Sequence, residues 1–180
     1  MDQAITQWIN ASAGSSHLVD SIMIAATQYG VPLLVLAIVL QWWSRRERLH
    51  VRHACAAAGL SFVIGLGLNQ IILLFVHRIR PYDAGVSHLI VSRSSDWSFP
   101  SDHATASFAI AAAFFLHGMF RRGIALLATA LLVCVSRVYV GTHYGSDILG
   151  GAVSGIIAAG TVRAFYREGS LADRFITGIL

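Results

Sequence analysis

Residues 53–76, HACAAAGLSFVIGLGLNQIILLFV, run on without a single Asp, Glu, Lys or Arg. As an α-helix that run is about 36 Å long, against a bilayer hydrocarbon core of about 30 Å. Inside lipid a backbone must satisfy its own hydrogen bonds, which restricts such a run to a membrane-spanning helix. Comparable apolar stretches lie at residues 18–43, 103–120, 123–140 and 147–166. The composition agrees, with 56% hydrophobic and 12% charged residues, where a soluble domain carries about 25% charged. The expected fold is all-α: a polytopic integral membrane bundle of about five to six transmembrane helices. Residues 1–180 are expected to form a single membrane-embedded domain. Residues 18–43 count as one crossing with a break near Gly30 and Pro32, and residues 1–16, weakly amphipathic around Trp8, as an interfacial segment.

All 13 basic residues are arginines, and the pI is near 9.6. Nucleic acid is not the expected partner, because the arginines flank apolar segments and form no stripe on a soluble face. Membrane lipids are. Arg45, Arg46, Arg48 and Arg52 follow the first crossing, Arg121 and Arg122 the third, and Arg163, Arg167 and Arg174 the fifth. An odd number of crossings puts all three groups on one side, which the positive-inside rule makes the cytoplasm. The loop at 77–103 and the turn at 137–147 then face outward. Cys55 and Cys134 sit inside apolar runs without metal-ligand spacing and read as small core residues.

The outward side collects the chemistry. Arg80 precedes Pro81; Ser101, Asp102 and His103 open the third crossing; Ser136 and Arg137 close the fourth; His143 and Asp147 bracket the start of the fifth. Charges at this depth are costly unless paired or functional. Two arginines suit bidentate grip of a phosphate. Ser101 is placed as an N-cap, and the free amides of the helix start behind it make an anion site. Two histidines suit a two-step phosphoryl transfer, one as nucleophile and one as general acid. Asp147, hydrogen-bonded to one ring nitrogen of His143, leaves the other free to attack phosphorus. Each element alone has a bland reading. His77, His88 and His117 read as interfacial residues, Arg-Pro as a turn, Ser-Asp-His as a helix cap, and Arg137 as an anchor. The joint pattern points to a phosphate ester or anhydride at a membrane surface.

PSDH at 100–103 and SRVYVGTHYGSD at 136–147 resemble the signature motifs of the type 2 phosphatidic acid phosphatase superfamily. The third motif is complete in Ser136, Arg137, His143 and Asp147. The second has Asp102 where the family has Gly. The first keeps Arg80-Pro81 but has Leu73 where the family has lysine. These departures look like the bacitracin-resistance type of undecaprenyl diphosphatase, and the resemblance covers roughly residues 17–165. It implies release of inorganic phosphate from undecaprenyl diphosphate, a polyprenyl diphosphate lipid, on the periplasmic side of the bacterial plasma membrane, regenerating the carrier for peptidoglycan. It further implies His143 as nucleophile of a phosphohistidine, Asp147 as its orienting partner, and His103 as acid and then base. Arg80, Arg137, Ser101 and the amides near Asp102 and His103 would hold the phosphoryl oxygens. No metal or other cofactor is expected, since a carboxylate cluster for magnesium is missing.

Several readings stay open at this level. Arg78 or Arg93 would supply the charge that Leu73 lacks. Asn69 and Gln70 would bond between helices or touch substrate. Residues 82–99 form a lid or a solvated connector, with Trp97 at the headgroup level. The substrate alternatives are phosphatidylglycerophosphate, phosphatidate and lipid A, and a remote alternative is a non-catalytic lipid transporter. Nothing in the sequence sets an oligomeric state.

Overall fold

The structure, a computed structural model, describes residues 1–179. Its elements are α1 (Asp2–Asn10), α2 (His17–Gln41), α3 (Arg48–Leu73), α4 (Asp102–Leu116), α5 (Phe120–Tyr139), α6 (Gly145–Phe165) and α7 (Leu171–Thr177), joined by irregular segments. Helices α2, α3, α5 and α6 are long and apolar enough to cross a membrane. The protein is therefore an all-helical, multi-pass membrane bundle. One end carries Arg80, His103 and His143 and is called the site end; the other, with α7, is the far end.

Helix α4 is the exception in length. Its 15 residues span about 22 Å, less than the hydrocarbon core. It needs no more, because it faces protein: Ala104, Ala106, Ala109, Ile110, Ala111, Ala113 and Phe114 are buried as it packs on α3, α5 and α6. The chain turns back at Gly118, whose φ of +72° favours glycine. The small residues of α6 let it lie directly on α4. A methyl group on Gly155 would sit 2.5 Å from the Thr105 carbonyl oxygen, and one on Gly151 would overlap the Ser101 carbonyl. This close approach of small-residue faces is a packing mode that lipid favours, and it fixes His103 relative to Asp147.

Two expectations are corrected here. Helix α2 does not break at Gly30: it is continuous through Gly30 and Pro32. A membrane helix tolerates the lost proline bond when neighbours support it, and Gly30 serves packing, since a Cβ there would overlap Val133 of α5. His117 is not interfacial. It is buried at the far end, where its Nδ1–H donates 2.7 Å to the Ala113 carbonyl, which also accepts the His117 amide at 3.2 Å.

The N-terminal α1 is 9 residues, about 13 Å, and too short to cross. It is bound across the site end by specific contacts. Asn10 donates to the carbonyls of His88 (2.9 Å) and Tyr139 (2.7 Å) and accepts from the His88 amide (2.7 Å). At the far end Arg52, one of the flanking arginines, is buried and holds α7 by donating 2.8 Å to the Thr177 carbonyl.

Candidate functional site

The residues singled out in the sequence are delivered by four pieces of chain. The first turn of α4 presents Asp102 and His103, and the last turn of α5 presents Arg137. The turn after α5 presents His143, and the irregular 77–100 segment presents Arg80. They line one cavity of about 100 Å³ together with Leu73, Asp96, Trp97 and Pro100. The turn carrying His143 depends on Gly141, whose φ is +85° and whose α-carbon lies against the His88 carbonyl, leaving no room for a side chain.

His143 is 3% exposed. Its Nδ1 lies 2.8 Å from the Ser98 carbonyl oxygen. A carbonyl can only accept, so Nδ1 carries the proton and Nε2 keeps its lone pair. Nε2 points into the cavity, 3.4 Å from Nη1 of Arg80. Burial, with Arg137 and Arg80 nearby, pushes the imidazole down to about 4, so at neutral pH it is uncharged. The expected direct bond to Asp147 takes a different form: Asp147 Oδ2 stands 3.6 Å from Nδ1, near enough for its charge to act but beyond a hydrogen bond. Ser98 bridges the two, with its carbonyl on His143 and its hydroxyl donating 2.5 Å to Asp147 Oδ2.

Asp147 is fully buried and fully partnered. It accepts from the Tyr144 amide (2.8 Å), closing a capping box at the start of α6, and from Arg78 Nη1 on Oδ1 (2.6 Å). Arg78 therefore stands behind Asp147, away from the cavity. Arg93 pairs with Asp83 at 2.8 Å on the exposed loop. Neither supplies the position that Leu73 leaves without charge; Leu73 itself lines the cavity.

Arg80 is 4% exposed and held on three sides. It donates to the Thr142 carbonyl (2.9 Å), the Asp96 carbonyl (3.0 Å) and the Asp96 carboxylate (2.8 Å). Hydrogen bonds from Ser94 and the Arg80 guanidinium outweigh burial and hold Asp96 below the usual carboxylate range, so it is an anion. Two buried donors beside the cavity have no partner among the described residues: Arg137 Nε and Ser101 Oγ. Ser101 occupies the N-cap position of α4 but makes no side-chain cap bond. Unsatisfied buried donors of this kind are costly, and an oxyanion is the group that satisfies both.

The remaining candidates, Asn69, Gln70 and Ser136, do not line the cavity. Asn69 bridges α3 and α4, donating to Asp102 Oδ1 (2.7 Å) and Thr105 Oγ1 (2.8 Å). Gln70, next to it, faces outward. Ser136 donates to the Val133 carbonyl at 2.7 Å and lies 3.0 Å from the Thr27 hydroxyl, tying α5 to α2 beside Arg137. The 82–99 segment is pinned to the site turn by Ser87 on the Gly141 carbonyl (2.8 Å) and by the Ile90 amide on Val140 (3.3 Å). Asp96 and Ser98, which sequence patterning did not single out, are its contributions to the site.

Comparison with known proteins follows the same residues. The PAP2 superfamily model matches residues 54–169. Undecaprenyl-diphosphatase BcrC of Bacillus subtilis (strain 168) is 33% identical over 159 residues, 87% of this chain and 80% of that protein. Putative undecaprenyl-diphosphatase YbjG of Escherichia coli (strain K12) is 32% identical over 152 residues, 83% of this chain and 74% of that protein. The crystal structure of a transmembrane PAP2-type phosphatidylglycerolphosphate phosphatase from Bacillus subtilis superposes with a TM-score of 0.68 at 23% identity, covering 94% of this chain and 86% of that one.

Proposed function

The chain belongs to the PAP2 superfamily of lipid phosphatases, and from that premise we propose that it hydrolyses undecaprenyl diphosphate to undecaprenyl phosphate and inorganic phosphate. The substrate is carried over from the similar proteins of Bacillus subtilis and Escherichia coli. The observation that carries the chemistry is the uncharged His143, its Nδ1–H committed to a carbonyl and its Nε2 open to a cavity lined by two arginines.

In the first step Nε2 of His143 attacks the terminal phosphorus. The bond from phosphorus to the bridging oxygen breaks, and His103 gives that oxygen a proton as the lipid phosphate leaves. The incoming diphosphate carries the negative charge that favours a protonated His103. The phosphorylated imidazole is cationic, and its Nδ1–H stays on the Ser98 carbonyl with the Asp147 carboxylate 3.6 Å away. In the second step His103 takes a proton from water, the hydroxide attacks phosphorus, and the P–N bond breaks to restore neutral His143. Arg80, Arg137 and the Ser101 hydroxyl stabilise the charge on the transferring oxygens. The guanidinium groups fill the electrostatic role that a metal ion has in other phosphatases. Asp102 is read as a neighbour of the phosphate held in place by Asn69.

Residues 1–180 are read as one domain. The site end is proposed to face outward from the bacterial plasma membrane, since the arginines gather at the far end: Arg45 and Arg46 follow α2, Arg121 and Arg122 open α5, Arg167 follows α6, and Arg174 lies in α7. The test is phosphate release in detergent, with a chelator present, from undecaprenyl diphosphate beside phosphatidylglycerophosphate, phosphatidate and lipid A. Turnover of the first alone supports the reading. Turnover of only another lipid keeps the chemistry and replaces the substrate. A His143→Ala protein as active as wild type removes the nucleophile.

A further inference from the structure

We propose that Arg78, clamped between Asp147 and Asp2, is a positioning residue for His143, and that the short helix α1 is thereby a working part of the site. This rests on the reading of His143 as nucleophile. Residue 78 acts on that histidine from both its ends. Its carbonyl accepts the Ser98 amide (2.9 Å), fixing the residue whose own carbonyl takes the His143 Nδ1–H. Its guanidinium donates 2.6 Å to Asp147 Oδ1 and lies over the Tyr144 ring at 3.9 Å. Arg78 does not line the cavity, so it makes no contact with a phosphate there, and its bonds run to Asp147, Ser146 and Asp2 instead.

Asp2 closes the arrangement from α1. Its Oδ2 accepts from Arg78 Nη2 (2.5 Å) and from the Ser146 hydroxyl (2.6 Å), and its Oδ1 accepts the Ser146 amide (2.9 Å). That amide belongs to the first turn of α6, where the helix dipole favours an anion. Burial alone would raise Asp2, but its bonds to Ser146 and Arg78 hold it below the ordinary range. A surface ion pair holding α1 down would matter little. Here one partner of Arg78 is a carboxylate with no exposure at all, and breaking a pair to a buried charge leaves that charge uncompensated.

The charges give the two ends of the clamp opposite effects. Besides Asp147, the groups facing His143 are Arg80, Arg137 and His103, with Asp96 and Asp102 across the cavity. Removing the positive Arg78 leaves Asp147 unshielded and favours a protonated His143. Removing the negative Asp2 frees the Arg78 charge and disfavours it. Steady-state kinetics of purified Arg78→Gln, Arg78→Lys and Asp2→Asn with undecaprenyl diphosphate test this across pH. Arg78→Gln is expected to lower kcat about tenfold or more, the scale seen when an outer partner of an active group is lost, with KM unchanged. The acid limb of kcat/KM should move up in Arg78→Gln, down in Asp2→Asn, and stay near wild type in Arg78→Lys. A raised KM with normal kcat would make Arg78 a phosphate ligand and overturn the proposal. So would acid limbs that do not move, or that move the same way in both variants. Asp2→Asn, partly exposed at the terminus, keeps the test decisive if Arg78→Gln does not fold. If wild type acts on phosphatidate but not on undecaprenyl diphosphate, only the substrate reading falls, and the same comparison on phosphatidate decides this one. If His143→Ala matches wild type, both fall.

Discussion

Each end of the bundle holds a buried histidine beside a buried aspartate, and only one of them has the form of an active site. At the far end His53 donates from Nδ1 to Asp173 Oδ1 at 2.8 Å, a direct bond that His143 and Asp147 do not make. Asp173 also accepts from the Tyr166 hydroxyl and the Gly169 amide, both at 2.7 Å. The His53 ring stacks on Tyr166 and meets His117 edge-on, each with centroids 4.8 Å apart. That pair docks α7 onto α3: its carboxylate edges a far-end cavity, but its imidazole does not line it. At the site end the imidazole instead opens onto a cavity where Arg137 Nε and Ser101 Oγ stay unpartnered among the described residues. A His–Asp pair is thus not a site in itself. What sets the site end apart is an imidazole nitrogen that faces a cavity and meets the Arg80 guanidinium at 3.4 Å, beside donors without partners.

The sharpest way to break this contrast is to truncate both histidines. His143→Ala should cost several powers of ten in kcat, as loss of a catalytic nucleophile does, with little change in the melting temperature in detergent. His53→Ala should do the reverse: near-normal turnover, and stability lower by about 3 kcal/mol for a buried pair left with one partner. Thermal melts beside phosphate-release rates read both. Equal losses of activity in the two variants would erase the distinction between the ends.

The next effect down tests the unpartnered donors. Under the proposed mechanism Arg137→Ala should lower kcat about a hundredfold or more, the scale of losing one preorganised oxyanion donor. Arg52→Ala, an equally buried arginine at the far end, should leave kcat near wild type. Paired kinetics of the two variants show whether burial or the cavity decides.

These residues differ in how far the sequence exposed them. The apolar runs place the helices to within a few residues: 53–76 is observed as Arg48–Leu73, and 147–166 as Gly145–Phe165. His103, Arg137 and His143 meet because each lies at or next to a helix end, and small residues such as Gly151 and Gly155 bring those helices together, while Arg80 reaches them from irregular chain. What stayed hidden belongs to irregular chain. No periodicity tells that Arg78 turns to Asp147 while Arg80 turns to His143, or that Ser98 takes the ring proton. Those directions are set by tertiary bonds such as Asn10 to His88 and Ser87 to Gly141. The break expected in α2 had a local signal in Gly30 and Pro32, but packing against Val133 overrode it.

A pH series sharpens the contrast through sign. His143 is held down to about 4, so the acid limb of kcat/KM, which reports the free enzyme, should fall only as pH drops toward that value and Nε2 takes a proton. Asp173 is also held down: burial alone would raise it, but the Gly169 amide, Tyr166 and His53 outweigh that. A carboxylate depressed in the folded state adds stability that is present above its unfolded value near 3.8 and is lost as pH falls through the lower folded one. Loss of activity on acidification should therefore come before undocking of α7. Protease nicking near residue 170 that preceded loss of turnover would reverse that order.

The smallest effect concerns Asp96, an anion placed against the arginine that should hold substrate. Its carboxylate contacts Arg80 at 2.8 Å but is 53% exposed, and an ion pair that open is worth up to about 1 kcal/mol. A phosphate must compete with it for Nη2 of Arg80. Asp96→Asn should therefore lower KM by about fivefold at most, the equivalent of that energy, with kcat little changed. Added salt, which weakens the native pair by screening, should narrow the difference between the two proteins. A higher KM in Asp96→Asn would mean instead that Asp96 aims the Arg80 guanidinium, and that its service as an orienting group exceeds its competition with phosphate. The far-end Glu168, which lies 3.0 Å from His50 and is similarly exposed, is no part of the cavity that holds Arg80. Glu168→Gln should leave KM where it is, which makes it the control for this last step.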